Sequence, residues 1–288
     1  MAGWWDGRSF RAGLTAVVGA LAASLMAVSS ARAGDPVLVK IASDDSYPPF
    51  SYVSNGVAAG VYPAIVTAVV ARMPQYRLEI FPMPWKRALQ ETQTGEFLGI
   101  LAPYRRSSRP WMAYSDPLYQ ERLSVFCRND VAARVAGQPF PGGYAGLRFG
   151  NNAGFKVGGD AFDAMAANGG ITVEEVSSTE LNLRKLAGGK VDCYINDRNV
   201  ILWEWDRISA VDTNLKTTFS EVTPLAVEDA YMGLTTAGTF PFQAAFVAQF
   251  NATLADLKAS GAIDEIVRQA FGTRQGHEAE PASPSTAR

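Results

Sequence analysis

The chain has 288 residues, with 26 Lys+Arg against 28 Asp+Glu for a net charge of −2, and 48% of its residues are hydrophobic. That is a globular balance, which excludes disorder for the bulk of the chain and offers no cationic footprint for a nucleic acid. The one histidine is His277 and there are two cysteines, so Ser-His-Asp triads, Cys-His pairs and Cys- or His-rich metal sites are excluded, and no cofactor is expected.

In chain order, Arg8 and Arg11 give a positive start, Leu14 to Val28 is an uncharged apolar run, and Ala31 and Ala33 carry the small residues of a cleavage site. This three-part pattern predicts an export signal over residues 1–33, cleaved after Ala33. The run is short for a bilayer core, which needs roughly 20 apolar residues. The remaining chain is expected to be soluble, mildly acidic and periplasmic.

Val37 to Ile41 is a β-rich opening that ends in the turn-forming stretch Ser43 to Phe50. A helix is predicted over Val61–Met73, stopped by Pro74, then a strand over Arg77–Phe81. A second helix follows over Pro84–Thr94, with Gly95 at its end, and a buried strand over Phe97–Ala102. This β-α-β-α-β run implies a parallel sheet with helices on its faces. A second such run follows: Leu147–Phe149, helix Asp160–Asn168, strand Ile171–Val176, helix Thr179–Leu186 and strand Val191–Ile195. Between the two runs, Ser115 to Asp130 reads as an extended crossing segment. A strand near Tyr231–Thr235 and helices over Pro241–Ser260 and Ile263–Phe271 complete the fold, and the polar tail 272–288 has no apolar period.

Ligands of open α/β sheets bind beyond the carboxyl ends of the strands. Those ends hold Asp44, Asp45, Tyr47 and Phe50, then Trp85 and Arg87, then Tyr104 to Arg109. In the second run they hold Asn151, Asn152, Gly154 and Phe155, then Asn196, Asp197 and Arg198. Aromatic faces, arginines and carboxylates together suit a small zwitterion or carboxylate. Arg105 and Arg106 read as solvated loop charges, Trp111, Tyr114 and Tyr119 as packing, and Asp192 as a structural turn. Gly150, Gly154, Gly158 and Gly159 match neither GxGxxG nor a Walker loop, so no nucleotide site is expected. Cys127 and Cys193 both fall in predicted strands, where either a disulfide or two buried thiols fits.

These segments resemble the family 3 extracellular solute-binding proteins, the periplasmic receptors of polar amino-acid ABC importers. Asp44-Asp45-Ser46-Tyr47-Pro48-Pro49-Phe50 is similar to the opening D-x-x-Y-x-P-F segment, and Pro84-Trp85-Lys86-Arg87-Ala88-Leu89 to a P-W-x-R-A-L helix of one branch. Arg105 to Pro117 resembles the R-x-x-x-R…F-S-D-P segment, Gly154 to Gly158 the G-Y-S-Y-G loop, and Gly189 to Arg198 the G-x-V-D…x-D-R segment. The resemblance implies the two-lobe periplasmic binding protein fold (type II), with two crossing strands as hinge and the ligand cleft between the lobes. Lobe 1 would comprise residues 34–121 plus 228–271, and lobe 2 residues 122–227.

Carried over by position, Arg109 would hold a ligand carboxylate and Asp197 its ammonium. Tyr47 and Trp85 would flank the ligand, with Arg87 in the same helix, Asp44 near the rim, and Gly154 and Phe155 contributed by the second lobe. The implied protein is a monomer without catalysis that passes a small ligand to the permease of an ABC importer. Three departures count against an ordinary polar amino acid: Tyr104 in place of Ser or Thr, Leu98 in place of Asp, and Arg109 one residue closer to the S-D-P segment. The alternative is an enzyme on the same fold, similar to a cyclohexadienyl dehydratase, with Asp44, Asp45 and Glu228 as free acids.

Overall fold

The computed structural model describes residues 1–3, 35–216, 218–237 and 240–272. The expected export signal, but for its first three residues, and the expected tail after Gly272 lie outside the described residues. The chain divides into Met1–Pro36 and a compact unit from Val37 onward; the fold is that of the second. No helix among the described residues is long and apolar enough to cross a membrane.

β1 (Val37–Asp44) is followed by a small antiparallel sheet of β2 (Ser46–Tyr47), β3 (Ser51–Ser54) and β4 (Val57–Ala59). Next come α1 (Val61–Val70), β5 (Tyr76–Met83), α2 (Trp85–Gln93), β6 (Gly99–Tyr104) and the long β7 (Met112–Arg128). The second run is α3 (Asn129–Val135), β8 (Arg148–Asn152), α4 (Gly159–Ala167), β9 (Thr172–Val176), α5 (Thr179–Ala187), β10 (Cys193–Asp197) and α6 (Arg198–Val211). The chain returns through β11 (Phe219–Thr235) and ends in α7 (Gln243–Ala259) and α8 (Ala262–Phe271).

One eight-stranded sheet runs in the order β5-β1-β6-β11-β7-β10-β8-β9. β1 lies parallel to β5 and β6, and β8 parallel to β9 and β10, as expected of two βαβαβ runs joined by helical crossovers. Between them β7 and β11 pair antiparallel from Arg128↔Phe219 to Met112↔Thr235, so the same two strands belong to both halves. Their register shifts at four places, including Glu221/Thr223 and Pro224/Ala226; such bulges bend a strand and increase its twist, which curls the sheet.

The apolar groups gather in separate cores. One, on the first half, packs Ile41, Ile65, Val66 and Leu98 against Phe246, Phe250 and Leu254 of α7. Another, on the second half, gathers Val125, Tyr144, Phe149, Phe162 and Ile195. α2 buries Trp85, Ala88 and Thr92 on one stripe and leaves Lys86, Arg87 and Gln90 in solvent, the 3.6-residue pattern of a half-buried helix. Ser178 starts α5 by accepting from the backbone N–H of Leu181 at 3.3 Å.

Three features depart from the sequence reading. α6 was not expected, because no glycine or proline separates it from β10, yet Val200, Ile201, Glu204, Trp205 and Ile208 are buried at helical spacing. The short α3 was also missed, and β11 begins twelve residues before Tyr231. Cys127 and Cys193 face one another across the β7–β10 pair and form a disulfide, which settles the open choice between bond and thiols.

Candidate functional site

The carboxyl ends of β1 and β6, the start of α2, the middle of β7 and the loop after β8 converge on one cavity of about 30 Å³. Asp44, Tyr47, Trp85, Tyr104, Arg109 and Phe155 all line it, so six of the nine expected site residues come together. Ser51, Glu121, Lys156 and Val157 line it too, and the sequence reading had not singled these out.

The halves touch across this cavity. Lys86 Nζ lies 2.5 Å from Glu175, and Arg106 Nε donates to the Lys156 carbonyl at 2.9 Å. Phe155 from the second half sits edge-on to Tyr47, with ring centroids 5.1 Å apart, and to Trp85 at 5.8 Å. The loop that brings it there needs Gly154: its φ of 82° is left-handed, and a Cβ would lie 2.9 Å from Lys86 Cγ and 3.2 Å from Trp85 Cδ1. At about 30 Å³ the cavity is well below the roughly 150 Å³ of an apolar cavity that binds benzene.

Asp44 ends β1 with 6% exposure, its Oδ1 accepting from the Ser46 backbone N–H at 2.9 Å. Burial, reinforced by neighbouring Asp45, outweighs the backbone hydrogen bonds and pushes the Asp44 carboxyl up to about 7. Arg109 stands over the Trp85 ring, 5.8 Å from its centroid, and reaches the Tyr104 carbonyl at 3.5 Å. No carboxylate pairs with it among the described residues, and burial lowers its pKa.

Glu121 is the largest omission of the sequence reading. It sits midway along β7 with 1% exposure. Its Oε2 accepts from the hydroxyls of Tyr47 at 2.8 Å and Tyr104 at 2.5 Å, and its Oε1 from that of Tyr62. Burial and the nearby charge of Asp197 push its carboxyl up to about 8, against the pull of the three tyrosine hydroxyls. Burial, then the charge of Glu121 itself and more weakly that of Asp197, hold all three tyrosines well above their ordinary pKa, so they stay protonated donors. A signal was present in the sequence: Glu121 shares the period-2 face of Leu123 while Gln120 and Arg122 point to solvent.

Three expected residues do not line the cavity. Arg87 lies on the outer face of α2, 66% exposed, and pairs with Glu91 one turn on at 2.6 Å. Gly154 shapes the loop behind Phe155. Asp197 is buried at 1% exposure and caps α6, accepting from the backbone N–H groups of Val200 at 2.9 Å and Arg122 at 2.7 Å. Burial, opposed by those backbone bonds, leaves its carboxyl at about 6. The expectation that Arg106 is a solvated loop charge is also corrected. Its guanidinium forks Glu228 with two bonds of 3.0 Å, which withdraws Glu228 from the free acids as well. Arg105 covers the rings of Tyr114 and Tyr231.

The geometry is that of a two-lobe clamp, and comparison with known proteins agrees. Residues 39–273 match the family described as bacterial extracellular solute-binding proteins, family 3, and the chain belongs to that family. Among solved structures, a histidine kinase sensor domain with similarity to periplasmic binding proteins superposes with a TM-score of 0.65. It is 17% identical, over 82% of this chain and 97% of its own. An ancestral arginine-binding protein bound to arginine gives 0.63 at 18% identity, over 82% of this chain and 98% of its own. An ancestral amino acid-binding protein described as a precursor of cyclohexadienyl dehydratase gives 0.62 at 16%, covering 81% and 95%. At these identities the likeness concerns the fold. No curated protein matches the chain.

Proposed function

We propose that the protein is a periplasmic solute-binding protein that closes on a small amino-acid-like or carboxylate ligand and delivers it to an ABC importer. The observation that carries this reading is a set of ionisable groups around one cavity that have no oppositely charged partner. The guanidinium of Arg109 has no carboxylate partner among the described residues, and the carboxyl groups of Asp44 and Glu121 have no cationic one. A zwitterion supplies both missing partners, and the faces of Tyr47, Trp85 and Phe155 cover its apolar part. Two charged hydrogen bonds at roughly 1.5–3 kcal/mol each, with aromatic burial, reach the ~8 kcal/mol of micromolar binding.

On this reading residues 34–121 plus 228–271 form one lobe and 122–227 the other, and β7 and β11 flex as the hinge. Residues 1–33 export the chain and are cleaved after Ala33. The protein acts as a monomer. Thermal-shift screening of amino acids, amines and carboxylates tests the function, since a ligand at 100 times its Kd adds about 2.7 kcal/mol. Hits whose carboxylate matters should lose affinity with Arg109→Ala; hits that bind both proteins alike would remove Arg109 from the site.

A second reading has its own support. Asp44 and Glu121 are carboxyl groups pushed to about 7 and 8 along one cavity, the range in which an acid donates a proton at neutral pH. A dehydratase of this fold would use such a group. Mass spectrometry of each hit after prolonged incubation separates the readings: an altered mass favours the enzyme, an unchanged one the binding protein.

A further inference from the structure

Glu121 has an arrangement that packing alone does not require. The sheet brings four elements around it: Tyr47 from β2, Tyr62 from α1, Tyr104 from β6, and Asn196 with Asp197 from the end of β10. On the remaining side Glu228 of β11 stands opposite it in register, but that carboxylate is forked by Arg106. The charged groups around Glu121 are therefore Asp197 and an already paired Glu228, with Asp44, Arg109 and Lys156 lining the same cavity, and no cation among the described residues forms an ion pair with it.

The hydrogen bonds also accommodate a protonated Glu121, with Asn196 Oδ1 accepting from the Asp197 backbone N–H at 2.9 Å in either state. The Tyr47 hydroxyl has one proton and two acceptors within reach, Glu121 Oε2 at 2.8 Å and Asn196 Oδ1 at 3.0 Å. Asn196 Nδ2 is already directed at the hydroxyls of Tyr194 and Thr179, which fixes Oδ1 as the acceptor. With a proton on Glu121, the carboxyl donates to the Tyr47 oxygen and Tyr47 donates to Asn196, and every group is satisfied. The raised pKa of Glu121 agrees with that state. A second, independent observation concerns Trp85. Its indole Nε1–H belongs to a residue only 8% exposed that lines the same cavity, and it has no hydrogen-bond partner among the described residues.

We propose that Glu121 is a ligand-binding residue that accepts an ammonium or guanidinium group, and that capture of this cation displaces the carboxyl proton to solvent. The inference rests on the binding reading given above and changes its chemistry. The negative partner of the ligand's cation is Glu121 in the hinge strand, because both Asp197 oxygens already accept backbone N–H groups, one from Val200 in the first turn of α6 and one from Arg122 of β7. The ligand's ammonium keeps its proton, the carboxyl O–H bond breaks, and the released proton passes to buffer. Tyr47, Tyr62 and Tyr104 then donate to a carboxylate paired with the guest, and affinity rises with pH up to the Glu121 titration.

The test is calorimetric titration at pH 7 in two buffers of different ionisation enthalpy. The probes are L-arginine, L-glutamine and agmatine, the last keeping the cationic groups of arginine without its carboxylate. The wild-type protein is expected to release up to one proton on binding. Glu121→Gln is expected to bind about 10- to 100-fold more weakly and to release none. Asp197→Asn, which can still cap α6, is expected to have the smaller effect on affinity and to keep the proton release.

Equal affinity and equal proton release in wild type and Glu121→Gln would overturn the proposal while leaving amino-acid binding intact. Agmatine bound in a Glu121-dependent way, with both amino acids rejected, would do the reverse. Binding of none of the three overturns both. Should Glu121→Gln fail to fold, carbon-13 NMR of the glutamate carboxyl groups in the wild-type protein gives the same answer: a resonance that titrates near neutral pH and becomes ionised on adding probe supports the proposal, and one already ionised beforehand overturns it.

Discussion

Beside the last residue of β7, Asp192 accepts from Arg128 at 3.3 Å, and from the Arg148 side chain at 3.1 and 3.2 Å and its backbone N–H at 2.9 Å. Midway along the same strand, Glu121 accepts from three tyrosine hydroxyls and is ion-paired to no cation among the described residues. Burial pushes both carboxyl groups up. At Asp192 the bonds and charges of two arginines outweigh it and hold the group below its ordinary range, whereas at Glu121 burial and Asp197 prevail. A carboxylate whose partners are built into the fold adds stability, which makes the far end of the second half structural. One left without a counter-charge costs stability, and on the proposal made above a ligand brings that charge to the hinge.

The sharpest way to break this contrast is at the disulfide beside Asp192. The bond closes a loop with a sequence separation of 66 residues, for which loop-closure entropy suggests about 4 kcal/mol. Cys127→Ser with Cys193→Ser should lower the denaturant midpoint accordingly, with binding of any identified ligand retained under native conditions. An unmoved midpoint would deny the far end its structural role.

Next in size, Asp192→Ala leaves Arg128 and Arg148 without their shared acceptor and should cost about 2 kcal/mol in denaturant unfolding. Loss of binding in a fully folded Asp192→Ala protein would blur the division between the regions.

The pH profile separates the two carboxylates by sign. Glu121 and Asp44, raised to about 8 and 7, bind protons in the folded state that the unfolded chain has lost. Their contribution is complete below the unfolded value near pH 4 and disappears as pH rises through 7 to 8, at up to about 1.4 kcal/mol per pH unit per proton. Asp192, lowered, contributes above its unfolded value and loses that contribution as pH falls through its folded one. Urea unfolding of ligand-free protein should therefore show stability declining from pH 5 to 8, with a flatter decline in Glu121→Gln. A steady rise over that interval would mean Glu121 is ionised in the folded protein.

The smallest effect is expected at Lys86, whose pairing with Glu175 spans the two halves but is exposed at 59% and 38%. Such pairs are worth about 0.2–1 kcal/mol, so Lys86→Ala should weaken binding less than about fivefold in calorimetry. A larger loss would move part of the closure energy from the cavity to its rim.

Much of this protein was legible before any coordinates. Apolar periodicity, Pro84, Gly95 and Gly189 punctuate the elements locally, so both βαβαβ runs and most helix limits followed from neighbouring residues. The order of motifs from Asp44 to Arg198 likewise pointed to the family, and the strand-end rule collected Asp44, Tyr47, Trp85, Tyr104, Arg109 and Phe155 around one cavity. Packing decided the rest. Asp197 and Glu121 are both acidic residues at strand positions; alternation turns Glu121 inward, but nothing local says which of the two is occupied by backbone N–H groups and which lines the cavity. Arg106 likewise reads as a loop charge until β11 brings Glu228 to it from 122 residues away. Whether a charge is satisfied depends on partners far along the chain, and only the pairing of β7 with β10 and β11 puts those partners in place.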